Sequence, residues 1–146
     1  MSAASLVQIL LVEDSPEDVL LTQEALKDAK VANELHVARD GDEAMAFLRR
    51  EAPHEDAPAV DLVVLDLNLP GKDGREVLTE IKSDELLHLT PVVVLTTSAS
   101  DKDVLHAYDH HVNAYVRKPV NLDRFVDVVR QIDDFWLGVV TLPPET

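Results

Sequence analysis

The chain has 146 residues, of which 46% are hydrophobic and 28% are charged, a composition typical of one soluble globular domain. Its net charge of -15 disfavours direct binding to nucleic acid or to an anionic membrane, and it favours a cation or a basic partner. The absence of cysteine excludes disulfides and thiol catalysis, and with no membrane-span run and no signal-like N-terminus we expect a cytoplasmic protein.

Two strand–helix pairs are predicted in the first part of the chain. Gln8 to Val12 is a mostly apolar strand that ends on Glu13-Asp14. Ser15-Pro16-Glu17-Asp18 then has the capping serine, the early proline and the acidic first turn of a helix start. Asn33 to Val37 suits a short second strand, and a second helix opens at Asp40-Gly41-Asp42-Glu43.

The middle of the chain contains a loop and then a buried strand. Glu51 to Ala59 holds two prolines and several charges, so we predict a surface loop. Leu62 to Leu65 is an unbroken apolar run, short enough to be a strand buried on both faces, and it ends on Asp66. Pro70-Gly71 then forces a turn. A carboxylate in this place lies where α/β proteins bind ligands, in the crevice beyond the strand ends, so Asp66 is the first candidate for chemistry.

The rest of the chain continues the alternation of strands and helices. A third helix starts at Asp73, a fourth buried strand spans Val92 to Leu95, and a fifth strand spans Ala114 to Val116. The helix between these two strands starts at Ser100, and Asn121 caps a last helix that runs to about Leu137. On the fourth helix we expect four side chains to face inward: Val104, Leu105, Tyr108 and Val112. Five strands and five helices in alternation predict a parallel sheet with right-handed crossovers.

Polar residues follow four of these strands, and parallel strands all end at one edge of the sheet. The residues are Glu13, Asp14, Asp66, Thr96 to Ser98, and Lys118. Each has a structural explanation when taken singly, as a helix cap or a turn former, but their joint placement favours a site. Clustered carboxylates repel one another unless a cation joins them. Mg²⁺, which prefers oxygen ligands, fits the trio of Glu13, Asp14 and Asp66. With a lysine and a hydroxyl added, the set matches what formation of an aspartyl phosphate requires.

These motifs resemble those of the receiver domains of two-component response regulators. The resemblance rests on Leu11-Val12-Glu13-Asp14, Asp66-Leu67-Asn68-Leu69-Pro70-Gly71, Thr96 and Tyr115-Val116-Arg117-Lys118-Pro119, with spacings of 30 residues from Asp66 to Thr96 and 22 from Thr96 to Lys118. It covers about residues 7–137. It implies a flavodoxin-like, doubly wound five-stranded sheet of order 2-1-3-4-5 with five helices, forming one receiver domain over residues 1–146. Since nine residues follow Leu137, we expect no output domain.

The resemblance also implies the roles of the acidic residues. Asp66 is the phosphoacceptor, and Asp14 is a direct ligand of Mg²⁺, with Mn²⁺ as the alternative ion. Glu13 acts mainly through a metal-bound water, and Asn68 coordinates through its backbone carbonyl. We therefore expect a signalling phosphoacceptor that assists only its own phosphorylation and dephosphorylation, rather than an enzyme acting on a separate substrate.

The other motif residues are expected to respond to the phosphoryl group. By resemblance Lys118 pairs with that group, Thr96 is the switch hydroxyl that turns toward it, and Tyr115 follows into the space that Thr96 leaves. The surface formed by the fourth helix, the fifth strand and the last helix then changes shape. By the same resemblance, Asn68 and Ser98 flank the phosphoryl group and should affect how fast water removes it.

The expected partner is a sensor histidine kinase, which transfers its phosphoryl group in line to Asp66. Leu95-Thr96-Thr97-Ser98 and Asp134-Phe135-Trp136-Leu137 look like the small stand-alone regulators that serve phytochrome-type kinases. By family analogy the kinase docks near Glu17, Asp18 and Val19, although plain surface or core helix is the alternative for these residues.

The last helix carries a wider apolar arc than packing on a sheet needs. Either the tail from Val139 to Pro144 covers its end, or the arc is a homodimer interface whose candidates are Val128, Ile132, Phe135 and Trp136. On the fourth helix, His106 and His110 have a spacing that can bind zinc, but no third ligand accompanies them, so we expect a solvated helix face.

Three other functions share parts of this pattern. A phosphatase of the haloacid dehalogenase type needs a second acid two residues after Asp66, where this chain has Asn68. A binding-only receiver would lack the acidic pair, Asp66 or Lys118. A flavodoxin-like electron carrier would share the sheet, but the carboxylates would repel a flavin phosphate.

Overall fold

The computed structural model describes residues 6–27, 29 and 31–144, so the predicted domain of residues 1–146 extends beyond it at both ends. Five strands and five helices alternate along the chain, as the sequence predicts. Their bounds are β1 Val7–Val12, α1 Pro16–Lys27, β2 Asn33–Ala38, α2 Gly41–Arg49, β3 Leu62–Leu65, α3 Gly74–Ser83, β4 Val92–Thr96, α4 Asp101–Asp109, β5 Ala114–Arg117 and α5 Leu122–Gly138.

The five strands form one parallel sheet in the order β2-β1-β3-β4-β5, which confirms the order implied by the resemblance. β1 lies between β2 and β3, so Leu10 pairs with His36 on one side and with Val63 on the other. After β1 the chain forms β2 on one side of it and then crosses to the other side, where β3, β4 and β5 follow. Such a reversal opens a crevice at the carboxyl ends of β1 and β3, the place where doubly wound sheets bind ligands.

Both faces of the sheet are covered by helices, which explains the unbroken apolar run in β3. Every residue from Leu62 to Leu65 is buried, because alternate side chains meet helices on opposite sides. One core packs the sheet against α2 and α3, and the other packs it against α1 and α5. In the part of the chain that the structure describes, no helix is both long and apolar enough to span a bilayer.

The helix starts lie where the sequence predicts them, and two glycines position α3. The side chains of four capping residues accept backbone N–H groups of the first turns, namely Asp40, Asp73, Ser100 and Asn121. Gly71 has φ +65°, a left-handed conformation that glycine adopts without strain, as the predicted turn requires. A Cβ on Gly74 would collide with the carbonyl oxygen of Asp66, so α3 packs directly on the backbone that carries this residue.

The predicted inward side of α4 is partly wrong. Leu105 and Tyr108 are 69% and 54% exposed, whereas Ala107 and Val112 are buried and Val104 is half-buried. The small side chain of Ala107 lets the helix approach the sheet closely, which the bulkier Tyr108 would prevent. Hydrophobicity alone therefore predicted burial for the large side chains of Leu105 and Tyr108, whereas the small Ala107 is the buried residue of α4.

The histidines of α4 do not lie on a fully solvated face, contrary to expectation. His106 and His110 are half-buried, with their ring centroids 4.1 Å apart. His110 shares a hydrogen bond between its Nδ1 and the carbonyl oxygen of His106, at 2.8 Å. Among the described residues, the acidic and histidine side chains grouped closely enough to hold a metal ion do not include this pair.

Helix α5 buries most of the apolar arc that the sequence shows. Phe125 and Val129 are buried, and Val128, Ile132 and Trp136 are partly buried against the same core. Phe135 and Val139 are 53% and 71% exposed, so the tail does not cover them. The tail instead helps to line a cleft, to which Pro143 and Pro144 contribute together with the end of α2 and the segments before β3 and β4.

A buried carboxyl on α5 makes stability depend on pH. Burial, and to a smaller extent the charge of Asp134, raises the pKa of Asp133 to about 6, and its Oδ1 has no hydrogen-bond partner among the described residues. Because the folded state holds this proton more tightly than the unfolded state, the free energy of unfolding falls as pH rises from about 4 to 6. We expect Asp133→Asn to remove this decline and to stabilise the protein by about 1–2 kcal/mol at pH 8. The free energy of unfolding of both proteins, measured by urea denaturation at pH 4 and pH 8, tests this expectation.

The control for this prediction is Asp127→Asn, which changes an exposed carboxyl on the same helix. Its effect on the free energy of unfolding should stay within about 0.5 kcal/mol at both pH values. Equal effects of Asp133→Asn at pH 4 and pH 8 would contradict the account.

Candidate functional site

Side chains from the carboxyl ends of β4 and β5 contact the carboxylate of Asp66, which itself follows β3. Thr96 Oγ1 donates to Asp66 Oδ1 at 2.8 Å, and Lys118 Nζ donates to Asp66 Oδ2 at 2.9 Å. These partners are 30 and 52 residues away in the sequence. Asp66, Thr96 and Lys118 are all buried, so their interactions are screened less than they would be in water.

Backbone hydrogen bonds that continue past the strand ends fix these positions. The Asp66 N–H donates to the carbonyl oxygen of Val12 at 3.0 Å, and the Lys118 N–H donates to that of Thr96 at 2.6 Å. Each functional residue is thus held by the neighbouring strand. The register of the sheet, rather than a flexible loop, sets the geometry of the site.

The predicted acidic trio lies together at this edge of the sheet. One carboxylate oxygen from each of Glu13, Asp14 and Asp66 lies within 4.8 Å of the other two. Glu13 and Asp66 are buried, whereas Asp14 is exposed, so a bound ion would keep contact with solvent. An all-oxygen set of this kind suits a hard divalent cation that retains waters. The residues therefore fit Mg²⁺ or Mn²⁺.

Lys118 contacts three carboxylates, one of which the sequence analysis did not place in the site. Its Nζ lies 2.5 Å from Glu13, 2.7 Å from Asp18 and 2.9 Å from Asp66. Asp18 sits in the first turn of α1, directly after the edge where β1 ends. From the sequence, Asp18 was assigned to the start of α1 and to kinase docking. The contact of Asp18 with Lys118, which is 100 positions away, was therefore missed.

The electrostatics of the site keep the lysine charged. Burial by itself lowers the pKa of Lys118, but hydrogen bonds to Asp18 and Glu13 and the charge of Asp66 raise it above its usual value. Burial raises the pKa of Glu13, against the lowering effect of its hydrogen bond with Lys118. One ammonium thus faces several carboxylates, and added positive charge is favourable there.

The two switch residues already face the site and its neighbouring loop. The Thr96 hydroxyl points at Asp66, and the hydroxyl of the half-buried Tyr115 donates to the carbonyl oxygen of Ser98 at 2.9 Å. This is the arrangement that we expect after phosphorylation. The motion itself stays a prediction.

The two residues expected to affect dephosphorylation have different surroundings. Asn68 is exposed, and its N–H donates to Asp66 Oδ1 at 3.1 Å. Metal coordination by its carbonyl stays a prediction. The Ser98 hydroxyl donates to Asp103 at 2.5 Å, so it is engaged by α4 rather than by Asp66.

The expected docking residues on α1 separate into three environments. Val19 is part of the core, Asp18 belongs to the site, and Glu17 is exposed. Leu20, beside them, is also exposed. Of the expected docking residues, the buried Val19 is thus not available for contact with a partner, and kinase docking on α1 stays a prediction.

Residues 9–130 match the family described as the response regulator receiver domain. The chain belongs to this family. Response regulator Rcp1 of Synechocystis sp. is 52% identical over 135 residues, which cover 92% of the receiver and 92% of Rcp1. The receiver also resembles the crystal structure of the phosphorylated cyanobacterial phytochrome response regulator RcpA, with a TM-score of 0.93 and 51% identity over 96% of this chain and 100% of that one. For the Mn²⁺-bound form of Rcp1 the TM-score is 0.92, with 51% identity over 94% and 99% of the two chains.

Membership of this family confirms the resemblance and the fold that it implied. The receiver is a phosphoaccepting signalling domain of a two-component system, so the phosphatase and electron-carrier alternatives are excluded. A related receiver is described as binding Mn²⁺, in agreement with the divalent-cation site predicted from Glu13, Asp14 and Asp66.

Proposed function

We propose that Asp66 is the phosphoacceptor and that its phosphorylation by a sensor histidine kinase in the cytoplasm switches this receiver. The observation that carries the proposal is the pair of contacts on its carboxylate, from the Thr96 hydroxyl and from the Lys118 ammonium. Both groups donate hydrogen bonds to the carboxylate oxygens of Asp66. They therefore lie close enough to contact a phosphoryl group attached to one of these oxygens.

The residues perform the transfer by positioning and by charge. One oxygen of the Asp66 carboxylate attacks phosphorus, the bond from phosphorus to the kinase histidine nitrogen breaks, and the electron pair returns to the imidazole. Lys118 offsets negative charge on the phosphoryl oxygens, and Thr96 donates a hydrogen bond to one of them. Glu13, Asp14 and the carbonyl of Asn68 would hold the divalent ion, which supplies further positive charge to the same oxygens.

The direct test is incorporation of phosphoryl from a small phosphodonor such as acetyl phosphate. Intact-mass measurement should find one phosphoryl group per chain with Mg²⁺ or Mn²⁺, and none after chelation by EDTA. Hydroxylamine should remove it, because an acyl phosphate is cleaved by this nucleophile and a phosphoserine is not. A label that forms without divalent ion, or that resists hydroxylamine, would contradict the proposal.

The kinase is proposed to be of the phytochrome type. The support is that RcpA, which is 51% identical to this chain, is described as a cyanobacterial phytochrome response regulator. Transfer from a phosphorylated phytochrome-type kinase should be much faster than transfer from an unrelated histidine kinase at equal concentration. Equal rates from both kinases would remove the phytochrome assignment and leave the phosphoacceptor role standing.

A homodimer formed through α5 is proposed, with Phe135 as its anchor. Val128, Ile132 and Trp136, the other candidates, pack partly against the core. Phe135 is half exposed and meets Trp136 edge to face, with the ring centroids 5.9 Å apart. An exposed aromatic side chain supported by a second one is typical of an interface anchor.

Phe135→Glu is expected to weaken the dimer at least about tenfold, because it would bury a charge at the contact. Sedimentation equilibrium at micromolar concentration, with and without the phosphodonor, measures the dissociation constant. Leu86→Glu is the control, since Leu86 is even more exposed but lies on the α3–β4 loop. A wild-type protein that is monomeric under both conditions would exclude the dimer.

A further inference from the structure

An ion pair beside the site joins α3 to α4. Arg75 Nε donates to Asp103 Oδ1 at 2.7 Å, and Arg75 Nη2 donates to Asp103 Oδ2 at 2.6 Å. The two side chains are 29% and 13% exposed. Two parallel bonds between a planar guanidinium and a carboxylate fix both direction and distance, which a lysine in place of the arginine would not do.

Each partner of this pair is connected to one of the loops that carry the site. Arg75 Nη1 donates to the carbonyl oxygen of Leu67, the residue after Asp66, at 3.4 Å. Asp103 Oδ2 accepts the hydroxyl of Ser98, two residues after Thr96. The ion pair therefore bridges the β3–α3 loop and the β4–α4 loop.

Ser98 connects the bridge to both switch residues. Its carbonyl oxygen accepts the hydroxyl of Tyr115 at 2.9 Å, and its N–H faces Thr96 Oγ1 at 3.5 Å, a long contact. The side chain and the backbone of Ser98 are thus held at the same time. A loop fixed at these points keeps the Thr96 hydroxyl directed at Asp66.

The pair stays charged near neutral pH. Hydrogen bonds from Arg75 and Ser98 hold the pKa of Asp103 well below its usual range. The hydrogen bond to Asp103 raises the pKa of Arg75 above its usual value, against the lowering effect of burial. Both side chains therefore carry the charges that the ion pair requires near neutral pH.

We propose that Arg75 and Asp103 are positioning residues, which hold Ser98 so that Thr96 faces the phosphoryl group and Tyr115 stays packed against the β4–α4 loop. Neither residue contacts the reacting atoms. They act through Ser98 and Leu67 on the rate of phosphorylation and on the fraction of molecules in the switched form. This inference rests on the proposed role of Asp66 as the phosphoacceptor.

The test measures phosphorylation by acetyl phosphate with Mg²⁺ in Asp103→Asn, Arg75→Gln and Arg75→Lys. We expect the first two to lower the rate constant roughly fivefold or more, with the lysine variant intermediate because it keeps the charge but not the planar fork. The affinity for Mg²⁺, measured by calorimetry, should stay within about twofold, since the acidic trio is unchanged. Beryllofluoride, a phosphoryl analogue, should shift the NMR resonances of Tyr115 less in these variants than in wild type.

The control is Arg49→Gln, which removes a partly exposed arginine that pairs with Glu80 and Asp84 between α2 and α3. It should leave the phosphorylation rate at the wild-type value. If Asp103→Asn fails to fold, as judged by circular dichroism, the smaller change Ser98→Ala takes its place. Ser98→Ala by itself should reproduce the slower phosphorylation. When Asp103→Asn does fold, the double variant should be little slower than either single variant.

Two results would overturn the inference. One is a phosphorylation rate in Asp103→Asn and Arg75→Gln equal to that of Arg49→Gln. The other is full additivity of Ser98→Ala and Asp103→Asn, which would mean that Asp103 does not act through Ser98. Both presuppose that the wild-type protein is labelled, so they differ from failure of the phosphoacceptor role, in which wild type itself takes up no phosphoryl group.

Discussion

Asn in place of Asp66 is expected to abolish phosphoryl incorporation from acetyl phosphate while the fold remains intact. An amide oxygen is a poor nucleophile toward phosphorus, and no neighbouring carboxylate has the same contacts with Thr96 and Lys118 among the residues that the structure describes. The substitution also removes one negative charge from a cluster of acids. The thermal unfolding midpoint should therefore equal or exceed that of wild type.

The matched control for this variant is Asp61→Asn. Asp61 lies just before the amino end of the same strand β3, and its carboxylate accepts the backbone N–H of Gln8 at 2.8 Å. It is thus a hydrogen-bonded carboxylate at the opposite end of the sheet from the site. Asp61→Asn should be labelled like wild type. Undiminished labelling of Asp66→Asn would assign the phosphoryl group to another residue and would end the proposed mechanism.

Lys118→Met is expected to impair both phosphorylation and stability. Methionine keeps the unbranched side chain but removes the ammonium that offsets charge on the phosphoryl oxygens, so the rate constant for phosphorylation should fall about a hundredfold or more. The loss also leaves Glu13 and Asp66 buried without their cation. Breaking a buried pair in this way typically costs about 3 to 5 kcal/mol.

The stability effect of Lys118→Met should depend on pH and on divalent ions. In the variant, Glu13, whose pKa is raised by burial and is no longer lowered by the hydrogen bond with Lys118, takes up a proton as pH falls, and the folded state gains more from this than the unfolded state. The loss in the free energy of unfolding should therefore be larger at pH 8 than at pH 5. Saturating Mg²⁺ should recover part of it, because the ion binds the folded state.

The control here is Lys72→Met. Lys72 pairs with Glu80 at 2.5 Å, but at a partly exposed position on the other side of α3. Its loss should cost less than about 1 kcal/mol and should not affect phosphorylation. Equal destabilisation by the two lysine variants in urea denaturation would contradict the special role given to the buried cluster.

The sequence predicted the elements well where one local cause dominates. The apolar run of β3 and the capping residues Asp73, Ser100 and Asn121 each act within a few residues, so their positions agree with the structure. The convergence of the strand-end residues was also predictable, because parallel strands share one carboxyl edge. The 2.9 Å contact of Lys118 with Asp66 is the outcome of that rule.

The errors have a common origin in contacts between elements that are distant along the chain. Helical periodicity predicted that Leu105 and Tyr108 are buried. The depth at which α4 packs is instead set by the sheet below it and by Ala107. For the same reason, no local pattern indicated that Asp18 would contact Lys118. An ion pair between residues that are far apart in the sequence leaves no signal in a local sequence pattern.

By itself, the sequence determined the alternation of strands and helices and the edge at which the acidic residues, the hydroxyl and the lysine meet, whereas the strand order was implied by the resemblance to receiver domains. The alternation and the shared edge follow from hydrophobic patterning and from the parallel direction of the strands, which are properties of segments and their succession. Only the tertiary structure decided which side of α4 is buried, that Phe135 stays exposed, and that Arg75 and Asp103 bridge the two loops of the site. These depend on the rotation and depth of each helix against the sheet, which packing fixes after the segments have come together.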